Sequence, residues 1–166
     1  MQRIGFIGAS GMMGHGMAKN LRAKGHPLAL TVHRNAERVA DLLAAGATRA
    51  ASAKALAAGS DIVFLCVTGS PQVEAAVLGA DGLLAGAAQG LMIVDTSTSE
   101  PDSTARLREA CAAQGVRYID APLARTPVEA EAGKLNVMVG ADEADFAKLE
   151  PVLKTFAENV FHVGAP

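Results

Sequence analysis

Residues 3–21 read RIGFIGASGMMGHGMAKNL: a short aliphatic run, a loop with glycine at positions 8, 11 and 14, and a segment in which Met13, Met17 and Leu21 recur every fourth residue. Residues 3–7 have the length and composition of a buried strand. The segment after the loop has helical period: its Met and Leu stripe faces a core, while Lys19, Arg22 and Lys24 fall toward solvent and the C-terminal end of the helix dipole. A strand running straight into a glycine loop and then a helix is the context in which such glycines carry chemistry. Gly8 permits the tight turn, Gly11 lets a pyrophosphate approach the backbone, and Gly14 lets the helix pack closely on the sheet. The free N–H groups at the helix start then face the phosphates. Gly8, Ala9, Ser10, Gly11, Met12 and Met13 are therefore the candidate phosphate-loop residues, against the plainer reading of a structural glycine-rich turn. The spacing is GxxGxxG, so Ser10 stands where the second glycine of the commoner GxGxxG lies, and its hydroxyl is a further phosphate ligand.

Outward from this stretch the same alternation repeats. Strand-like runs at 28–32, 62–67, 91–94 and 116–120 alternate with Ala-rich segments of helical period. Repeated βα alternation predicts an α/β fold of the Rossmann type: a doubly wound, mostly parallel sheet with helices on both faces. Gly25, Gly46 and Gly115 follow helical stretches as C-terminal caps, and Ser52, Ser70 and Ser99 precede them as N-caps. After residue 120 the pattern changes to a Pro-containing loop, an alternating run KLNVMVG, a helix over about 142–156, and a last strand near 160–163. One domain over 1–166 accounts for the whole chain.

The second strand ends in His33-Arg34-Asn35, where NAD-selective domains place a carboxylate on the ribose hydroxyls. The first acidic residue is Glu37. Arg34 instead offers a permanently charged planar fork that suits the 2′-phosphate of NADP. The expectation is NADP binding with NAD possible, Arg34 as selector and His33 and Asn35 beside it.

Composition sets the outer bounds. The 166 residues carry 15 Lys and Arg against 17 Asp and Glu, a formal charge of −2, which gives no electrostatic footprint for nucleic acid. No apolar run approaches the length of a membrane span. With Cys66 and Cys111 the only cysteines, the expectation is a cytoplasmic protein without disulfides. His15, His26, His33 and His162 form no metal-spaced set with those cysteines, so no metal site is expected. Ser97 and Thr98 have neither a glycine elbow nor a neighbouring histidine to make them nucleophiles.

Three blocks occur in order: GFIGASGMMGHGMAKNL, DTSTSEP and DAPLARTPVEAEAGKLNVMVG. Together they resemble the β-hydroxyacid dehydrogenase family related to 6-phosphogluconate and 3-hydroxyisobutyrate dehydrogenases. The resemblance covers the whole chain, with one residue inserted in the glycine loop. It implies an oxidoreductase that interconverts a small β-hydroxyacid, or a related anionic hydroxy compound, with its aldehyde or ketone by hydride transfer. It further implies that Cys66 and Val67 line the cofactor ribose and that Thr98 reaches the nicotinamide end. The substrate loop departs from the family's DAPVSGG: this chain has Ala124, Arg125 and Thr126, resembling the Gly-Arg-Thr-Ser loop of the sulfolactaldehyde reductase branch. The resemblance thus implies Arg125 on an anionic group of the substrate; the alternative is a surface arginine or an ion pair with Glu129 or Glu131. The family's catalytic lysine belongs to a GxGxxxKxxN segment beyond Pro166, and Lys134, Lys148 and Lys154 match other positions. The catalytic residue is therefore unknown. The family pattern places an all-helical, dimer-forming domain after this one, so the chain alone is expected to bind cofactor without turnover. Relatives lacking the lysine leave a second reading, a non-catalytic NADP-binding sensor or scaffold.

Overall fold

The computed structural model describes residues 1–33 and 35–165. Arg34 and Pro166 lie outside the described residues. The chain order is β1 (Ile4–Ile7), α1 (Met12–Ala23), β2 (Leu28–Thr31), a 3-10 turn (Ala36–Val39), α2 (Ala40–Ala44), β3 (Thr48–Arg49), α3 (Ala53–Ala58), β4 (Ile62–Leu65), α4 (Ser70–Leu78) and β5 (Met92–Asp95). It continues with α5 (Pro101–Ala112), β6 (Arg117–Asp120), β7 (Leu123–Ala124), α6 (Pro127–Ala132), β8 (Leu135–Gly140), α7 (Glu143–Leu153) and β9 (Ala157–Gly164).

Among the described residues these strands form one sheet in the order β3-β2-β1-β4-β5-β6-β8-β7, with β9 paired to β8. The first six are parallel. β8 runs antiparallel to β6 and β7, and β9 runs parallel to β8. This is the Rossmann-type doubly wound arrangement, with the chain reversing its direction of travel across the sheet between β1 and β4.

Strand periodicity explains why both faces are covered. Ile4, Phe6, Ile62, Phe64, Met92 and Val94 point to one face, where they meet Met17 and Leu21 of α1, Leu42 of α2 and Leu149 of α7. The intervening Val63, Leu65 and Ile93 point to the other, against Leu56 of α3, Val73 and Val77 of α4, and Leu107 and Cys111 of α5. Strands buried on both sides read as continuous hydrophobic runs, as IVFL and MIVD do here. On the first face the Phe64 ring bridges Phe6 and Phe156, with centroids 6.1 and 5.6 Å away.

Gly25, Gly46 and Gly115 take φ of +90°, +93° and +68°, as helix-terminating glycines do. Ser52 caps α3 by accepting from Ala55 N at 3.1 Å. Two N-caps differ from expectation. Gly69 and Glu100, not Ser70 and Ser99, occupy the N-cap positions of α4 and α5. Both hydroxyls serve tertiary partners instead: Ser70 Oγ accepts from Glu100 N at 2.8 Å, and Ser99 Oγ donates to Asp95 at 2.6 Å. The segment read as a Pro-containing loop holds β7 and α6. Its second proline, Pro127, stands in the first turn of α6, where its missing N–H costs nothing, and Thr126 and Glu129 form a capping box.

Candidate functional site

The glycine loop sits where β1 ends against β4. Gly8 has φ +99°, and a Cβ there would lie 2.0 Å from the Cys66 carbonyl oxygen. Strand β4 thus passes too close for any side chain at this position. A Cβ on Gly14 would lie 2.3 Å from Gly8 O, so α1 lies directly on the loop. Gly11 differs: its nearest neighbour is Gly8 O at 3.2 Å, and Gly11 N donates to that same oxygen at 2.9 Å. As N-cap of α1 it supplies no side-chain acceptor, and the first turn holds no acidic residue. The N–H groups at the start of this 12-residue helix therefore keep their capacity for an anion. Ala9 is buried, Ser10 half-buried, Met12 exposed, and Met13 packs partly on the core.

The neighbouring segment follows β2. His33 is exposed, and Asn35 takes the left-handed conformation at φ +57° as it leads into the 3-10 turn. The expected selector, Arg34, lies outside the described residues. Sequence reading passed over Arg38 in that turn, whose Nη1 lies 3.5 Å from the Ser10 carbonyl oxygen and sets a cation beside the glycine loop.

At the ends of β4 and β5 a buried network fixes the backbone. Val67 N donates to Ser97 Oγ at 3.0 Å, and Thr96 Oγ1 donates to Leu65 O at 2.6 Å. Asp95, fully buried, accepts from Ser97 N at 2.9 Å, Ser99 Oγ at 2.6 Å and Tyr118 OH at 2.8 Å. Thr98, between these anchored residues, is exposed. Burial, helped by the Asp95 charge, pushes the Tyr118 phenol well above its ordinary range. Burial likewise pushes the Cys66 thiol up, so it stays protonated and serves as packing rather than as a nucleophile. Nothing in the DTST pattern alone revealed Asp95 as the hub, since its third donor comes from the next strand.

The loop after β6 extends beyond the end of the parallel strands. Ala124 pairs with Asn136 of β8, and Arg125 takes φ +87°, a conformation that favours glycine. The family pattern has glycine there. The Arg125 Nη1 donates to Lys134 O at 2.6 Å and to Glu158 Oε2 at 2.5 Å. The alternative partners Glu129 and Glu131 are otherwise engaged. Glu129 caps α6, taking hydrogen bonds from Thr126 N and Oγ1 that hold its carboxyl below the usual range. Glu131 binds Lys19 Nζ at 2.7 Å and His15 Nδ1 at 2.6 Å. Contact between α6 and α1 is intimate: a Cβ on Gly16 would lie 2.4 Å from Ala130 C, and Asn20 Nδ2 donates to Ala130 O at 3.0 Å. The phosphate-loop residues, Cys66, Val67, Thr98 and the Ala124–Arg125–Thr126 loop thus gather at one end of the sheet. Lys148 and Lys154 lie on and just after α7, near Asp145 at 3.9 Å and Glu150 at 2.8 Å. Among the described residues no helix is long and apolar enough to cross a membrane.

Comparison with known proteins shows the family and the fold. The model for the NAD binding domain of 6-phosphogluconate dehydrogenase matches residues 3–164. The chain is 39% identical over 165 residues to 2-(hydroxymethyl)glutarate dehydrogenase of Eubacterium barkeri, covering 98% of this chain and 53% of the relative. It is 37% identical over 163 residues to 2-hydroxy-3-oxopropionate reductase of Escherichia coli K12, covering 98% and 54%. Among solved structures, Psf3 in complex with NADP+ and 2-OPP superposes with a TM-score of 0.90 at 33% identity, over 98% of this chain and 57% of that one. The chain spans about half the length of the curated relatives it matches. On these grounds the chain belongs to the family of NAD-binding domains of the 6-phosphogluconate dehydrogenase type.

Proposed function

We propose that this chain is the NADP(H)-binding part of an oxidoreductase that interconverts a small anionic β-hydroxyacid with its aldehyde or ketone. The observation that carries the reading is the cradle at the end of β1, where Gly8 and Gly14 exclude side chains and Gly11 leaves the start of α1 open. A pyrophosphate fits there, held by the helix N–H groups and Ser10. Cys66, Val67 and Thr98 then lie along the path toward the nicotinamide, which supplies the hydride when bound. Arg34, with Arg38 beside the loop, favours the 2′-phosphate. The NADP+ complex of the similar Psf3 supports that preference.

The named substrates of the relatives support a small hydroxyacid, and Arg125 supplies a cation at the substrate loop. Its link to Glu158 joins side chains 31% and 48% exposed, a pair worth only about 0–1 kcal/mol that an incoming substrate anion replaces. The proton-transfer group is assigned to a following helical domain, which also mediates self-association. The chain alone therefore binds cofactor without robust turnover.

Fluorescence titration with NADPH and NADH tests the cofactor assignment. NADPH is expected to bind the more tightly, and Arg34→Asp to bring the two affinities together or invert them. A wild-type chain that prefers NADH, or a ratio that Arg34→Asp leaves unchanged, overturns it.

A further inference from the structure

His15 touches all three segments that meet at the site. It lies in the second turn of α1, where its N–H donates to Gly11 O at 3.0 Å. Its Nδ1 is 2.6 Å from Glu131 Oε1 on α6, the short helix that leaves the substrate loop. Its Nε2 is 3.0 Å from Asp41 Oδ2 on α2, which follows the 3-10 turn bearing Arg38. Lys19 shares Glu131 from below, at 2.7 Å, while Arg38 turns to Ser10 instead. The charged groups around the ring are thus Lys19 from its own helix, Asp41 from α2 and Glu131 from α6.

We propose that His15 is a positioning residue for dinucleotide binding, which fastens the adenosine-side segment and the substrate loop to the glycine-loop helix. The inference rests on the cofactor reading above. Its physical basis is the donor count. Both ring nitrogens face carboxylates, which only accept, and a neutral imidazole has a single N–H. Only the imidazolium satisfies both, so the clamp is complete when the ring is charged. Burial works against that charge, but hydrogen bonds and attraction from Glu131 and Asp41 outweigh it and raise the His15 pKa above the usual value. The clamp is therefore fully present below the ordinary histidine range and is lost as pH rises through the elevated value.

The test is the affinity for NADH across about pH 5.5–9, because the 2′-phosphate of NADPH itself titrates near pH ~6. Wild-type affinity is expected to fall roughly five- to tenfold on going up this range. His15→Gln is expected to bind with a flat profile. Asp41→Asn, at a carboxylate that is 58% exposed and so tolerant of change, is expected to flatten it in part. A pH-independent wild type, or a slope that survives in His15→Gln, overturns the proposal. If no dinucleotide binds at any pH, the cofactor reading fails, and amide hydrogen exchange decides the clamp separately. Protection factors over residues 36–45 and 127–132, corrected for the intrinsic pH dependence of exchange, should rise on acidification in the wild type and not in His15→Gln; equal behaviour of the two overturns the clamp.

Discussion

The three loop glycines lie within seven residues of one another but are expected to fail in different ways when each becomes alanine. Gly8→Ala places a Cβ 2.0 Å from the Cys66 carbonyl oxygen at φ +99°. The left-handed backbone costs about 1–2 kcal/mol and prising β1 from β4 about 1–3 kcal/mol more, for ~2–5 kcal/mol together. For a domain of this size that lowers Tm by about 4–20 °C. Gly14→Ala, 2.3 Å from Gly8 O at ordinary helical φ, carries only the packing cost of about 1–3 kcal/mol. Gly11→Ala differs in kind, because its backbone at φ −79°, ψ 162° suits any residue and its Cβ meets only Gly8 O, at 3.2 Å, a tight contact that a small shift of the loop relieves. Its stability should stay within about 1 kcal/mol of wild type. The new methyl would stand where the pyrophosphate approaches. Losing one charge-assisted hydrogen bond, about 1.5–3 kcal/mol, weakens NADPH by roughly 10- to 150-fold. Thermal melts by circular dichroism and fluorescence titrations on the three variants separate the effects. The assignment of Gly11 to the phosphates is refuted if Gly11→Ala binds NADPH like wild type, or if it melts as early as Gly8→Ala.

Tyr118→Phe removes one of three donors from the buried Asp95 carboxylate. Urea unfolding should show a loss of about 1.5–3 kcal/mol, the range for a hydrogen bond to a charged group; a loss within about 0.5 kcal/mol would mean that Ser97 and Ser99 suffice. Arg125→Gly relieves the φ +87° backbone, about 1–2 kcal/mol, and forfeits the exposed pair with Glu158, about 0–1 kcal/mol. Its Tm should hold or rise, while, on the proposed reading, kcat/KM of an active enzyme carrying this domain falls for substrates with sulfonate, phosphate or carboxylate tails; unchanged kcat/KM removes Arg125 from the substrate site.

What the sequence made legible was set by distance along the chain. β1, the glycine loop and α1 are contiguous, and their chemistry is local: a Cβ that cannot be present, a helix start that needs an anion. The buried strands β4 and β5 announce themselves because both faces are covered, leaving no polar alternation. The exposed two-residue β3 has no such signature, and it pairs because Ala29 and Leu30 of β2 lie alongside. Ser70 and Ser99 have good N-cap chemistry, yet Ser70 Oγ accepts from Glu100 N, 30 residues on, and Ser99 Oγ donates back to the buried Asp95 at the end of β5. The same holds for Arg125: local spacing offered Glu129 and Glu131, whereas the partner is Glu158, 33 residues on, brought near because β9 pairs with β8. Proline at 127 read as a break, but at the first turn of a helix it is compatible with the fold.

The division between binding and chemistry follows from which polar groups remain uncommitted. Asp95 is shut away from solvent and accepts from three donors, so it organises the ends of β5 and β6. Cys66 is held as the thiol. Glu129 and Glu131 are each tied to partners that lower their pKa, which suits them as structural anions and makes them poor general acids. Lys148 and Lys154 are engaged on α7. Among the described residues, groups with open capacity at this end of the sheet include the amides at the start of α1, the hydroxyls of Ser10 and Thr98, the Arg125 guanidinium, whose present counter-ion is weakly held, and Asp120 at the end of β6, whose carboxyl burial pushes up. The amides, the hydroxyls and the guanidinium are groups for grasping anions and orienting a ring, which suits the proposed cofactor cradle.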